Sequence, residues 1–270
     1  MHTFKTFSIF ILLLFIAADF SLSQIKNSKP FNLDFNREAL IIGAGAIAAV
    51  TALAILENIE PLTSEEIYLL NPADVNSFDR EAIGPFTEDY TGDVLLYTSY
   101  LLPVSFLVYK ETKNDFLDLA LIYGEVILTQ ASINGIVKGT VKRTRPFVYD
   151  GETPMNEKTS TAARISFFSG HTSMTAAISF FSARVLNEYV EDKTARILIW
   201  TGAVLLPAAT AISRVNTHWH FPTDVMAGYA VGAFVGYLIP ELHNTKLGET
   251  VSIFPLINVN KPAISIQVKF

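Results

Sequence analysis

The chain has 270 residues, half of them hydrophobic, and a formal net charge of −6 at neutral pH. The length suits one domain, and the acidic balance argues against a nucleic-acid partner, which calls for a basic face. Cysteine is absent, which excludes disulfides and thiolate metal sites.

Residues 1–23 have the order of an export signal: Lys5 as a weak basic start, an apolar core over 7–18, and small Ser21 and Ser23 ahead of Gln24. The core is short for a membrane span, and an uncleaved anchor is the alternative. A polar linker is expected over 24–38 and a helical domain over 39–243. Its first apolar run, 39–56, is uncharged. Residues 57–93 then carry ten acids against Arg80 alone. Turn signals at Pro61, Pro72 and Gly84-Pro85 predict an ordered or partly helical loop region, with a short capped helix from Ser64. Asn76 to Arg80 within it reads as packing or capping rather than a site.

The second apolar run, 94–109, is expected to kink at Pro103. The third, 119–137, carries Glu125 and Gln130. A charge in mid-span costs roughly 2.5–3.5 kcal/mol, so Glu125 should face other helices as a structural partner. Lys138-Gly-Thr-Val-Lys-Arg-Thr-Arg-Pro follows directly. Four cations here could be a plain basic flank. Pro146, however, should end the helix at Arg145 and leave Lys138 and Arg145 on a bend that converges on a ligand. Residues 150–163 form a polar loop suited to shaping substrate access.

Phe168-Ser-Gly-His-Thr-Ser precedes the fourth run, 174–183. A hydroxyl-rich helix start exposes backbone N–H groups to an anion. Gly170 permits close approach, and His171 stands where it could donate a proton. The fifth run, 197–212, delivers Ser213-Arg-Val-Asn-Thr-His-Trp-His-Phe-Pro-Thr-Asp. Arg214 can hold an oxyanion in a planar fork. Pro222 suits the first position of a helix. That start puts Asp224 one turn below His220, where it can fix the ring tautomer and free the other nitrogen for attack. His218 and His220 lack a third ligand nearby by spacing, so no metal pair is predicted. Trp219 reads as packing or a wall. The sixth run, 225–240, repeats Gly228, Gly232 and Gly236 at four-residue spacing, a face for close helix packing. In the tail, 244–270, alternation at Ile264, Ile266 and Val268 predicts a β-hairpin with 250–256.

Taken together, Lys138, Arg145 and Pro146, then Ser169, Gly170 and His171, then Ser213, Arg214, His220 and Asp224 resemble the three motifs of the type 2 phosphatidic acid phosphatase and vanadium haloperoxidase superfamily. The resemblance covers about 93–240. One departure is Phe168, where the second motif usually opens with proline. The resemblance implies that Lys138, Arg145, Ser169, Gly170 and Arg214 bind phosphate. It implies that His220 attacks phosphorus, that Asp224 holds His220, and that His171 serves the leaving group. No metal or other cofactor is implied.

The expected fold is all-α: a six-helix bundle with the site at one end, membrane-embedded, with a short C-terminal hairpin. The expected activity is hydrolysis of phosphate monoesters or pyrophosphates, foremost of membrane lipids, in the cell envelope. A soluble periplasmic acid phosphatase, a vanadate-dependent haloperoxidase with His220 as ligand, and a non-enzymatic membrane scaffold are the alternatives. The acidic loop and the habit of bacterial family members favour a site facing the periplasm. An exported N-terminus puts it inside if every run crosses, so an outward site needs either one run, such as 39–56, that does not span or a bundle that is not transmembrane at all.

Overall fold

In the computed structural model, residues 29–245 are described with their side chains, and 251–256 and 263–268 by their backbone. The expected export signal lies outside them. Six principal helices form the body: α1 Phe35–Glu57, α2 Tyr90–Tyr100, α3 Phe116–Val141, α4 Gly170–Tyr189, α5 Lys193–Asn216 and α6 Pro222–Leu242. α1 begins inside the stretch read as linker, because Asp34 caps it by accepting the Arg37 N–H at 3.0 Å. α2 stops at Tyr100, and Pro103 sits at the start of a 3-10 segment, Leu102–Leu107, where a kink was expected. α3 ends at Val141, not at Arg145. Lys142 takes the left-handed conformation (φ 49°) and its N–H caps the Lys138 carbonyl at 3.0 Å. Lys138 therefore lies in the last helical turn and Arg145 in extended chain beyond it.

The acidic region is ordered around short elements, Ser64–Leu69, Pro72–Asp74 and Ser77–Arg80. The first starts at Ser64, as expected, and Thr63 caps it in a reciprocal box with Glu66. In the tail, β1 Val251–Leu256 and β2 Ala263–Val268 pair antiparallel, with Val251 opposite Val268 and Leu256 opposite Ala263.

Helix directions follow from contacts made by small residues. Gly45 meets Leu128, Gly135 meets Ala52 and Gly139 meets Ile55, so α1 and α3 run side by side in the same direction. α1 thus spans the depth that α3 spans, and the expectation that 39–56 stops short does not hold. Gly228, Gly232 and Gly236 of α6 face the Ser169, Ser173 and Ala177 carbonyls of α4. A Cβ on Gly228 would stand 2.7 Å from the Ser169 oxygen, and one on Gly232 would overlap that of Ser173. Gly232→Ala is therefore expected to cost about 1–3 kcal/mol, read as a lowered Tm of the detergent-solubilised protein.

The C-termini of α1, α3 and α5 and the N-termini of α2, α4 and α6 meet at one end. The chain ends of the bundle meet at the other, where Asn32 N–H donates to His243 O and Thr245 N–H to Pro30 O, both at 3.0 Å. Leu95, Leu102, Ile122, Phe181, Ile199 and Leu206 fill the core between them. The outer faces are apolar too. Phe35, Ile47 and Val50 on α1, Ile197 and Ile212 on α5, and Met226 and Phe234 on α6 are mostly exposed. A helix facing water would be polar there.

Four helical segments, which include α1, α3, α5 and α6, are long and apolar enough to cross a membrane. At 1.5 Å per residue, α3 reaches about 39 Å, against a hydrocarbon core of about 30 Å. The uncharged runs look short in sequence because the helices continue into charged ends. The bundle is that of an integral membrane protein.

Candidate active site

The three motifs arrive at the shared end from the end of α3, the start of α4 and the α5–α6 connection. Arg145 is almost fully buried and fixed on three sides. Its Nε donates to Ala162 O at 2.6 Å, its Nη1 to Trp219 O at 2.6 Å, and its backbone N–H to Ala163 O at 2.9 Å. The polar loop expected to shape access therefore holds a cation in place. Arg214 enters from the last turn of α5. Its Nη1 pairs with Asp89 at 3.0 Å, and its buried Nε has no protein partner among the described residues. The two guanidiniums lie against the Trp219 ring, 4.9 Å and 4.7 Å from its centroid, which offsets part of their mutual repulsion. Trp219 also packs on Phe86 and Phe147 and donates its indole N–H to Thr87 O at 2.8 Å. Lys138 Nζ lies beside Gly170, 3.6 Å from where a Cβ would stand.

His220 is 1% exposed, with Nε2 3.0 Å from Arg145 Nη1. Its Nδ1 lies 3.6 Å from Asp224 Oδ2, too far for the direct hydrogen bond that the spacing suggested. Ser166 fills the gap: its hydroxyl donates to Asp224 Oδ2 and stands 3.5 Å from Nδ1. Asp224 is itself held by Arg143 Nη1 at 2.5 Å and by the Phe221 N–H at 3.0 Å. Burial first, then the charges of Arg145, Arg214, Lys138 and His171, hold the His220 imidazole well below its ordinary range, so the ring is neutral.

α4 starts at Gly170, as expected. Ser169 is its cap, and its hydroxyl is turned to Thr172, with 3.0 Å between the two hydroxyl oxygens. The Ser169 N–H donates to Asp224 O at 3.0 Å, and Asn134 donates to Phe168 O at 2.9 Å. These bonds hold the turn where the family's proline is replaced by Phe168. His171 Nε2 lies 2.8 Å from Asp93 Oδ1. Burial and then Arg214 pull the His171 imidazole down to about 4, against Asp93, which pulls it up.

The acidic region contributes more than its sequence suggests. Asp79 is fully buried and joins Arg143 at 2.7 Å to the start of α6, where Thr223 donates through both N–H and hydroxyl. Burial pushes its carboxyl up, but hydrogen bonds from Arg143, Thr223 and Asn76 outweigh that and hold it below the usual range. Asp89 caps α2 and accepts the Ser213 hydroxyl at 2.6 Å as well as Arg214. His218 turns away from the site, and its Nδ1–H donates to Ala82 O at 2.9 Å.

The motif-bearing part of the chain has known relatives. Residues 119–247 match the model of the PAP2 superfamily. Over that stretch, which holds all three motifs, the chain is similar to this superfamily. Among curated PAP2 relatives, it is 33% identical to phospholipid phosphatase 1 of Rattus norvegicus over 87 residues, 31% of each chain. It is 29% identical to phosphatidylglycerophosphatase B of Bacillus subtilis over 153 residues, 53% of this chain and 67% of the relative. A crystal structure of a transmembrane PAP2-type phosphatidylglycerolphosphate phosphatase from Bacillus subtilis aligns over 90% of this chain and 96% of its own, with a TM-score of 0.42 and 19% identity. That likeness is too slight to bear on the fold. Beyond the PAP2 motif positions, the structure adds Arg143, Ser166, Asp79, Asp89, Asp93 and Trp219 to the catalytic end. Arg143 lay within the basic run of the sequence, but nothing there separated it from Lys142.

Proposed function

We propose that this protein is a membrane phosphatase that hydrolyses phosphorylated lipids through a phosphohistidine. One observation carries the reading: Arg145 and Arg214, both held against the Trp219 ring, converge with Lys138 on a buried neutral His220, within helices whose outer faces are apolar. The three cations neutralise phosphate oxygens and the charge of the transition state, with the Gly170 N–H at the helix start assisting. His220 Nε2 attacks phosphorus in line. The P–N bond forms as the P–O bond to the lipid breaks, and His171 gives its proton to the leaving alkoxide. His171 then takes a proton from water as the water oxygen bonds to phosphorus and the P–N bond breaks. Asp224, through Ser166, holds the Nδ1–H tautomer and stabilises the ring as it becomes positive. Charge neutralisation by side chains means that phosphate release should continue in chelator.

The test is phosphate release by purified protein in detergent and chelator, from a phosphatidate, a polyprenyl pyrophosphate and an aryl phosphate side by side. Release from one of the lipids above the aryl ester supports the reading. Equal release from the aryl ester without detergent, or none from any substrate, overturns it. The pH profile carries a sign. His171 must be protonated to serve the leaving group, and its free-enzyme value is low, so kcat/KM on an alkyl phosphate should rise from about pH 8 toward about pH 5. Asp93 is a group that raises that value, so Asp93→Asn should move this limb further acid.

We also place the site on the periplasmic face. The acidic cover over residues 57–93 supports that side, since cytoplasmic loops favour Lys and Arg. This puts the Asp34 end of α1 in the cytoplasm and removes the export role from residues 1–23. The chain has no cysteine, so single cysteines report cleanly. In intact cells, Glu60→Cys should react with an impermeant maleimide and Lys193→Cys should not. The reverse pattern would put the site inside and restore the exported N-terminus.

A further inference from the structure

A buried cluster at the opposite end of the bundle takes no part in this chemistry. Glu38 in the first turn of α1, Glu125 in α3 and His243 just past α6 each bring one ligand atom to within 4.8 Å of the others. Their exposures are 8%, 1% and 0%. His243 Nδ1–H donates to Ile239 O at 2.8 Å, which orients the ring. Its Nε2 then points between Glu38 Oε1 at 2.9 Å and Glu125 Oε2 at 3.1 Å. Neither oxygen of Glu125, nor His243 Nε2, completes a hydrogen bond among the described residues. One ring proton cannot serve two carboxylates, and it would still leave Glu125 Oε1 without a donor. A buried carboxylate so poorly supplied needs another partner.

We propose that Glu38, Glu125 and His243 bind one divalent transition cation of the zinc or manganese kind, independently of the phosphatase reading. A ring whose Nδ1–H is tied to a backbone carbonyl, with Nε2 free, is the usual state of a metal-ligating histidine. Spacings of 2.9 and 3.1 Å suit adjacent ligands around an ion with bonds of about 2.0–2.2 Å. One imidazole with two carboxylates favours such a cation over magnesium or calcium, which prefer oxygen alone. Arg37 bonds Glu38 Oε1 through Nε at 3.1 Å and Nη2 at 2.9 Å, and the Asp34 N–H bonds Oε2 at 2.6 Å, so this carboxylate is held in place. The ion would tie the start of α1, the body of α3 and the chain leaving α6 into one knot.

The experiment strips the full-length protein in detergent with chelator, then dialyses it against zinc or manganese, each alone. Bound metal is counted by mass spectrometry, and thermal unfolding is followed. The expected result is one equivalent of one of these ions per chain and a raised Tm. Both should be lost in Glu125→Gln and in His243→Gln, while each variant still releases phosphate. Two results would overturn the proposal. One is wild-type protein that retains neither ion and whose Tm neither moves. The other is a full equivalent retained by both variants, which places the ion elsewhere.

Discussion

His220→Ala is expected to lower phosphate release by on the order of 10⁴-fold or more, about 5.5 kcal/mol of transition-state stabilisation. The size follows from position. Arg145, Arg214 and Lys138 surround the ring and would still bind phosphate in the variant, but no other imidazole stands between Arg145 and Ser166 to attack it. Binding should therefore survive where turnover does not, and inorganic phosphate or vanadate should still raise the variant's Tm. Rapid quench with labelled substrate should trap label on the wild type, stable to base and labile to acid. Equal label on His220→Ala would remove His220 from the nucleophile's role.

Asp224→Asn is expected to lower kcat by about 10³–10⁴-fold with KM nearly unchanged, because Asp224 orients the nucleophile and does not touch substrate. Ser166→Ala should lie between this variant and the wild type, with a loss of about 10–100-fold, the usual effect of an outer partner that orients a reacting group. The ordering tests the geometry itself. Nδ1 is 3.6 Å from Asp224 Oδ2, and the serine hydroxyl links them. Ser166→Thr keeps a hydroxyl and should recover part of the loss. A Ser166→Ala enzyme with full turnover would mean that Asp224 acts on His220 without the hydroxyl. A rise in KM alone in Asp224→Asn would place Asp224 in binding. Asp224 also anchors Arg143 at 2.5 Å, so Tm should be measured beside kcat to separate lost orientation from lost folding.

Local motifs carried much of the site and little of what supports it. Lys138, Arg145, His171, Arg214, His220 and Asp224 stood out because together, in order, they resemble the motifs of one superfamily; spacing alone spoke best for His220 and Asp224, and His171 rested mostly on the resemblance. The six helices were visible as apolar runs between turn signals. Ser166 was not visible. A serine three residues before the second motif looks like any loop hydroxyl until α6 brings Asp224 beside it. Asp79, Asp89 and Asp93 were hidden among ten acids, and their partners Arg143, Arg214 and His171 lie 64, 125 and 78 residues away. No local pattern encodes such pairings. The end of α3 was misplaced because Pro146 marks the furthest point a helix could reach, whereas the left-handed turn at Lys142 ends it earlier. The ligand-like meeting of Glu38, Glu125 and His243 was equally hidden, since Glu125 alone showed only that it should face inward.

The glycine face of α6 has a mechanical consequence. Backbone rests on backbone from Gly228 to Gly236 along α4, and the Ser169 N–H is bonded to the Asp224 carbonyl. The helices that carry His171 and Asp224 are thus clamped along this seam like the fixed jaw of a vice. α2 meets that jaw differently, through Asp93 on His171, while its cap Asp89 holds Arg214 of α5. Side-chain ion pairs can lengthen and re-form, whereas a backbone seam cannot. If the substrate is a bulky lipid, as proposed, the room it needs is expected from α2 as the moving jaw, and changes that widen or narrow what is accepted should gather on α2 and the loop before it rather than on α4 or α6.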